Sequence, residues 1–456
     1  MSNKQFYKRI LAVALPIMIQ NGITNFVQML DNVMVGQVGT IPMSGVAIVN
    51  QLMFVFNLCI FGATSGAGIF TAQFKGREDN EGIRYTFRFK LIVGVLLGAL
   101  GIGLFLAFGR ELIGLYLTGE GSPEDTAATL AYGLKYLKVM LLGLIPFALS
   151  NAYSGTLREV GETTVPMVAG IIAVLVNLVG NYILIFGHFG APAMGVAGAA
   201  VATVASRYVE MLIIVLWTHL NPKKNPYVKG LYRSLYIPGK LFRQITVKGM
   251  PLLLNEAAYT IGMAFLNQCY STCGLDVVPA LSISTTIYNL TAVVFRSLGN
   301  TVGIIMGRML GAGRPREEVK EHNDKLLAMG VLTGVICGGL TVATSGLFPK
   351  LFNTTDEVRA LAAGLTVISA VAMPLQAYIF PVYFTLRAGG KTIVTFLFDS
   401  GAIWVLMLPI AFCCSRFTGL SILVIYALCN GMDLIKCFVG YYFIRKGDWI
   451  QNLTIK

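Results

Sequence analysis

The chain has 456 residues, of which 55% are hydrophobic and only 12% charged, and its mean hydropathy is +0.70. This composition excludes a soluble globular protein and indicates a polytopic membrane protein. The formal net charge of +13 does not point to a nucleic-acid partner, because the basic residues concentrate in alternate loops and at the termini. We therefore expect the lipid bilayer as a partner and no nucleic acid.

Twelve apolar segments follow one another along the chain, each long enough to cross a bilayer. They cover residues 10–38, 44–72, 88–109, 129–154, 165–187, 192–218, 245–270, 279–306, 326–348, 358–384, 393–415 and 418–443. The loops at 73–87, 219–244 and 307–325 are basic, whereas the loop at 110–128 is acidic. The positive-inside rule then places both termini in the cytoplasm, and the short loops favour a bacterial plasma membrane.

An internal repeat divides these segments into two sets of six. A shift of 235 residues superposes Pro16 on Pro251, Gly39 on Gly274, Gly68 on Gly303 and Gly76 on Gly311. Because six is even, the two copies have the same orientation, which implies a pseudo-twofold axis along the membrane normal and a central cleft. The prediction is an all-α protein with twelve transmembrane helices in two lobes. Residues 1–218 form the first lobe, 219–244 a cytoplasmic loop and 245–456 the second lobe.

The first segment carries a lone carboxylate, Asp31, near its far end. A charged carboxylate inside a bilayer costs about 2.5 kcal/mol or more, so Asp31 is the leading candidate for a functional residue. In the fifth segment Asn177 and Asn181 have i, i+4 spacing and present two amides on one helix face. They either bond neighbouring helices or line a cation-coupling site with Asp31.

The second half has its own buried ionisable residues, the acids Glu256 and Asp399 and the base Arg296. Either acid is free to pair with Arg296 in a static salt bridge, or to titrate or contact substrate during transport. The sequence leaves both interpretations open.

Charged pairs occupy equivalent positions in the sixth and twelfth segments. Arg207 and Glu210 are i, i+3 neighbours, and a shift of 226 residues matches them to Asp433 and Lys436 with the signs exchanged. We expect each pair to neutralise itself within its own helix, as a structural ion pair.

Candidates for lining the cleft are the polar and aromatic residues Gln20, Asn21, Gln51, Phe54, Tyr153 and Tyr288, although aromatic side chains in membrane helices more often pack or face lipid. Nucleotide-binding, metalloprotease and hydrolase motifs are absent, and the eight cysteines lack metal-ligand spacing. We therefore expect a carrier that is no enzyme, has no cofactor, and binds no metal apart from Na⁺ near Asp31. We also expect the protein to be monomeric.

Several stretches together resemble the multidrug and toxic compound extrusion (MATE) family of secondary transporters. They read VGQVG, GAGIFTAQFKGRED, GVAGAAVATVASRYVE, GRMLGAGRPREE and LRAGGKT, and the likeness covers essentially the whole chain. The resemblance implies that Asp31, Asn177 and Asn181 belong to a cation-coupling site. Some members have aspartate where this chain has Asn181, and this departure weakens the case for sodium, since hard cations prefer charged oxygens.

The resemblance implies an antiporter that exports organic, cationic and aromatic compounds in exchange for H⁺ or Na⁺ by alternating access. The alternatives are a flippase for lipid-linked precursors and a dedicated exporter of one metabolite. A structural or signalling membrane protein is disfavoured by the duplicated fold with an intramembrane acid.

Overall fold

In a computed structural model, which describes residues 3–117, 122–352 and 354–455, the chain forms twelve long helices and the described residues include no strand. The helices are α1 Asn3–Gly36, α2 Thr40–Gly76, α3 Asn80–Gly114, α4 Pro123–Glu159, α5 Thr164–Phe186, α6 Val196–Leu220, α7 Gly239–Ser271, α8 Val277–Gly311, α9 Arg316–Thr344, α10 Asp356–Ala388, α11 Thr392–Phe417 and α12 Ile422–Lys446. The predicted all-α fold is confirmed.

Within the described part of the chain, eleven of these helices have the length and apolar composition needed to cross a membrane. The remaining helix, α7, has 33 residues, but Pro251, Asn255 and Glu256 dilute its apolar stretch. Each predicted segment lies largely within one helix, and the helices mostly extend beyond the apolar residues because the connections are short. The protein is therefore a multi-pass membrane protein with twelve spans.

Three of the helices depart from regular geometry. One is α12, which is interrupted at Met432 between the α-helical parts Ile422–Gly431 and Asp433–Lys446. In α4 a 3₁₀ turn at Leu141–Gly143 separates two α-helical parts. In α11 two π-helical turns, Leu397–Gly401 and Ile403–Met407, precede a final α-helical part. Such π turns are rare and change which side chains share a helix face, and the first of them contains Asp399.

The chain folds as two compact units. One comprises Ile19–Thr71 and Asn80–Arg243; the other comprises the residues up to Met18, Ala72–Asp79 and everything from Gln244 onward. The start of α1 and the end of α2 are thus grouped with the second half of the chain. The division into lobes of residues 1–218 and 245–456 stays a prediction.

Each unit has its own apolar core. The unit that contains α3 to α6 is centred on buried side chains such as Val49, Ile60, Ile113 and Ala148. In the other unit Leu298, Val302 and Met306 of α8 pack with Val382 of α10, and Ile10 of α1 joins them. Many large apolar side chains outside these cores are exposed, as expected for helices that face lipid.

Two of the three glycine pairs matched by the repeat have the same structural roles in both copies. Gly39 and Gly274 lie in the turns just before the second helix of each copy, with φ of +131° and +154°, which glycine adopts without strain. Gly76 and Gly311 end those helices, where the end of α2 lies against α8. A Cβ on Gly76 would clash with the carbonyl oxygen of Arg308, and one on Gly311 with that of Gln73.

The chain's final residues pack against the same helix ends. Trp449 is 1% exposed, and its indole Nε1 donates to the carbonyl oxygen of Ile444 at 3.2 Å. The side chain of Gln73 donates to the carbonyl oxygen of Ala388 at 2.9 Å and accepts from the backbone N–H of Leu453 at 2.7 Å. These bonds fix the tail to α2 and α10.

We predict that Gly311→Ala destabilises the protein, because its Cβ has no room beside the backbone of Gln73. Overpacking of this kind costs about 1–3 kcal/mol, which should appear as a lower apparent melting temperature of the purified protein. Gly339→Ala in α9 is the matched control, since nothing lies within 4 Å of the added Cβ. Equal melting temperatures for the two variants would contradict the close approach of α2 and α8.

Candidate functional site

The polar residues of α1 and α5 meet inside the unit that contains α3 to α6. Asn181 donates its side-chain amide to Asp31 Oδ1 at 2.7 Å. Asn177 lies one helical turn earlier on the same face of α5, and one terminal atom of its amide lies 2.9 and 2.8 Å from the two carboxylate oxygens of Asp31. The structure thus brings together the three residues that the sequence assigned to one site.

The Asn177 amide fits this position in the orientation that turns its nitrogen towards the carboxylate. Its oxygen then accepts from the hydroxyl of Thr203 on α6 at 3.1 Å, and its nitrogen donates to Asp31. Asn177 and Asn181 are 6% and 2% exposed, whereas Asp31 is half-buried. We refer to Asp31, Asn177, Asn181 and Thr203 as the α1–α5 site.

This site compensates its carboxylate by hydrogen bonds. Within the described residues Asp31 forms no ion pair, and no cluster of acidic, cysteine or histidine side chains could hold a metal ion. Arg207, one turn beyond Thr203 on α6, is close enough to act electrostatically on Asp31 without pairing with it. Arg207 itself lies 3.3 Å from Glu210, the intrahelical contact that their spacing predicts. Asp31 is thus held by neutral donors. The carboxylate can give up these hydrogen bonds when it binds a proton or a cation.

The second unit holds another polar cluster, at the π turn of α11. Asp399 accepts from the side-chain amide of Asn255 on α7 at 3.0 Å, and Lys436 of α12 lies 3.6 Å from its other oxygen. The next residue, Ser400, donates its hydroxyl to the Asn255 side-chain oxygen at 2.6 Å. The π turn therefore aims two successive side chains of α11 at α7 and α12.

The sequence predicted an ion pair within α12, but the structure shows one between two helices. Lys436 pairs with Asp399 of α11, while Asp433 accepts from the side-chain amide of Gln376 on α10 at 3.2 Å. Both residues are buried, Asp433 at 4% and Lys436 at 8% exposure. The i, i+3 spacing correctly placed them near each other, but the acid at the π turn is the closer partner.

Arg296 is not in a salt bridge with either candidate acid. Its guanidinium carbon lies 5.4 Å from the ring centre of Tyr288 and 5.6 Å from that of Phe380. Its Nε is buried without a hydrogen-bond partner. The static-pair interpretation therefore fails for Arg296 in this conformation. Within the part of the chain that the structure describes, Glu256 forms no ion pair either, and it is half-buried.

The candidate cleft-lining residues separate into two groups. Gln51, Phe54 and Tyr288 are exposed or half-buried, as is Asn21. Tyr153 is instead 1% exposed; it packs on Phe87 and its hydroxyl bonds His219 Nε2 at 2.9 Å.

Gln20 is also enclosed by packing. It is 8% exposed and accepts from Arg158 Nη2 at 2.6 Å. Tyr153 and Gln20 are therefore packing residues in this conformation, because the Tyr153 hydroxyl and Gln20 Oε1 each bond a side chain on another helix.

Sequence reasoning missed a buried ion pair between α3 and α4. Lys90 is 1% exposed and pairs with Glu159, the last residue of α4. The signal was a lysine two residues inside the predicted third segment. Its partner lies in a short loop of the predicted topology, so hydropathy alone does not join them.

The comparisons with known proteins agree with the fold and with the order of the helices. A family model described as MatE matches residues 16–183 and 251–413, one match in each half of the chain. The fold, the repeat and this match define a multi-pass membrane transporter. Because the match covers more than half of the residues, the chain belongs to the MatE family, the multidrug and toxic compound extrusion transporters.

Individual relatives are similar over nearly their whole length. "Probable multidrug resistance protein NorM" of Thermotoga maritima is 25% identical over 98% of this chain and 94% of its own. "Multidrug resistance protein PmpM" of Pseudomonas aeruginosa is 27% identical over 89% and 83%. A solved outward-facing structure of a multidrug resistance MATE family transporter superposes with a TM-score of 0.86, at 18% identity and 96% coverage of both chains.

We predict that a double-mutant cycle distinguishes the two possible partners of Lys436. Lys436→Met should destabilise the protein by up to about 3–5 kcal/mol, because it leaves the half-buried carboxylate of Asp399 without its counter-charge. Adding Asp399→Asn should recover most of that loss, whereas adding Asp433→Asn should recover less. Apparent melting temperatures of the purified variants measure both couplings. A larger recovery with Asp433→Asn would contradict the prediction and show that Lys436 pairs with Asp433 within α12.

Proposed function

We propose that the protein is a secondary active antiporter that exports organic, cationic and aromatic compounds in exchange for a cation, by alternating access to the two sides of a bacterial plasma membrane. Both termini lie in the cytoplasm in this proposal. The observation that carries it is the α1–α5 site, a half-buried carboxylate that is held by amides and has no ion-pair partner among the described residues. Such an intramembrane acid is free to bind and release a cation during a transport cycle.

The donor set favours H⁺ over Na⁺ as the coupling ion. Asn181 and Asn177 both direct amide nitrogens at Asp31, so these groups act as donors to the carboxylate. A sodium ion would need several oxygen ligands, preferably charged, and this site offers a single carboxylate. A proton needs only Asp31 itself, after which an amide can turn its oxygen to accept from the protonated acid.

In the proposed cycle, Asp31 takes up the cation from outside, which favours the inward-open state. The organic cation then binds from the cytoplasm and the coupling ion is released, so that the ion gradient drives export. The neutral and charged forms of Asp31 must differ in their hydrogen bonds to Asn177 and Asn181, and this difference is what biases the equilibrium between the two states.

A second candidate function rests on Arg296. This base has an unpartnered Nε and is flanked by the rings of Tyr288 and Phe380, an arrangement that also suits an anionic ligand with flat groups. A dedicated exporter of an anionic metabolite, or a flippase for lipid-linked precursors, would use such a residue for recognition.

We predict that Asp31→Asn abolishes gradient-driven transport while leaving a folded protein. Asparagine keeps the size and polarity of the side chain but cannot bind a proton or balance a cation. The assay is uptake of ethidium, a fluorescent organic cation, into everted membrane vesicles, under a proton gradient without sodium and under a sodium gradient at equal pH. Transport should occur under the proton gradient and fall at least about tenfold in Asp31→Asn.

Asp356→Asn is the matched control, because it makes the same chemical change at an exposed acid that pairs with Arg359 at the start of α10. Retention of full gradient-driven transport in Asp31→Asn would contradict the proposed coupling role. Transport of an anionic fluorophore alone, abolished by Arg296→Gln, would favour the second candidate function.

A further inference from the structure

A basic pocket lies beside the start of α3, where the loop between α6 and α7 covers the helix. It has a volume of about 790 Å³, and its walls include Arg84, Arg88, Lys229 and Arg233 together with the rings of Tyr85 and Tyr236. All of these residues belong to one compact unit. We call this feature the basic pocket.

Arg88 gives the pocket a fixed wall. It is 7% exposed and its guanidinium donates to three carbonyl oxygens of the loop, those of Gly230 at 2.7 Å, Leu231 at 2.8 Å and Tyr236 at 3.0 Å. One turn earlier, Arg84 Nε donates to the carbonyl oxygen of Tyr227 at 3.1 Å. The loop is therefore held against α3 by side chains of the pocket, so the pocket is formed before any ligand arrives.

The positive charge of the pocket exceeds its negative charge. Among the described residues, Arg84, Lys229 and Arg233 form no ion pair. Glu81 is the one acid that lines the pocket; it is exposed, and it already accepts the hydroxyl of Tyr85 at 2.5 Å. Several basic side chains around one concave space raise the local concentration of anions, and phosphate oxygens match guanidinium donors well.

Exposed apolar and aromatic side chains lie around the pocket. Tyr232, Leu235 and Tyr236 of the loop are each more than 60% exposed, and Phe242 at the start of α7 is also exposed. Exposed tyrosine and leucine side chains next to a basic pocket are typical of the membrane interface, at the level of the lipid headgroups. A site for a soluble phosphate compound would not need this apolar rim.

We propose that the basic pocket binds the phosphate headgroup of an anionic phospholipid of the inner leaflet. The headgroup contacts Arg84, Lys229 and Arg233, while the acyl chains lie along the exposed apolar side chains of the loop. The bound lipid ties the loop between α6 and α7 to the start of α3. This inference rests on the proposed topology, which puts both elements on the cytoplasmic side, but it does not depend on any transport activity.

The test compares phosphatidylglycerol binding by the full-length protein in phosphatidylcholine nanodiscs. The variant Arg84→Gln/Lys229→Gln/Arg233→Gln removes the unpaired charge. It loses the bond from Arg84 to Tyr227 but keeps Arg88 and its three bonds to the loop. We expect its affinity for fluorescent phosphatidylglycerol to fall at least about tenfold. The control Lys223→Gln/Lys240→Gln/Arg243→Gln makes the same change in charge at exposed positions outside the pocket. Its affinity for phosphatidylglycerol should stay at least about tenfold higher than that of the pocket variant.

Two outcomes would overturn the proposal. Equal losses of affinity in the two triple variants would show that the attraction comes from the basic surface as a whole. Displacement of phosphatidylglycerol by inorganic phosphate, with the same dependence on the pocket residues, would show that a soluble phosphate compound is the occupant. Lys229→Gln/Arg233→Gln changes exposed side chains only, so it repeats the test if the triple variant does not fold.

Discussion

The remainder of the structure depends on how the carboxylate of Asp31 is stabilised inside a membrane protein. Asp31 cannot be left bare in an apolar medium, since that would cost about 2.5 kcal/mol or more, and it is stabilised by amides of α5 and through them by Thr203 of α6. One charged group thereby joins three helices. In the proposed antiporter the same arrangement would serve coupling, because neutral donors lower the cost of the charged form without locking it in a salt bridge.

Both units place side-chain amides opposite aspartates of the membrane helices. Asn181 donates to Asp31 at 2.7 Å, Asn255 to Asp399 at 3.0 Å and Gln376 to Asp433 at 3.2 Å. An amide carries both a donor and an acceptor, so it can bond a charged carboxylate with its nitrogen and a protonated one with its oxygen. The units differ in their cations: Lys436 contacts Asp399, whereas Asp31 has no ion-pair partner among the described residues. This difference is why we propose coupling at Asp31 and a more structural role for Asp399.

Much of the fold could be predicted from the sequence because segments that cross a bilayer must be long, apolar and internally hydrogen-bonded. Apolar segments of sufficient length predicted the helices. The repeat matched Gly39 with Gly274, and both have positive φ in the structure. The i, i+4 spacing of Asn177 and Asn181 put both amides on one face, and the family resemblance placed them beside Asp31. The partner of Lys436 was not predictable, because hydropathy does not reveal the π turn that redirects Asp399. The burial of Tyr153 was missed because its partner His219 lies on another helix.

The most direct test of the central claim is the dependence of substrate affinity on pH, measured with ethidium and the purified protein at constant ionic strength without sodium. If substrate and proton exchange at Asp31, binding of one must weaken binding of the other. The account predicts that affinity rises with pH, with a limiting slope of about tenfold per pH unit for one proton, and that Asp31→Asn is independent of pH. An affinity that does not change with pH in the native protein, or an unchanged dependence in Asp31→Asn, would contradict the account.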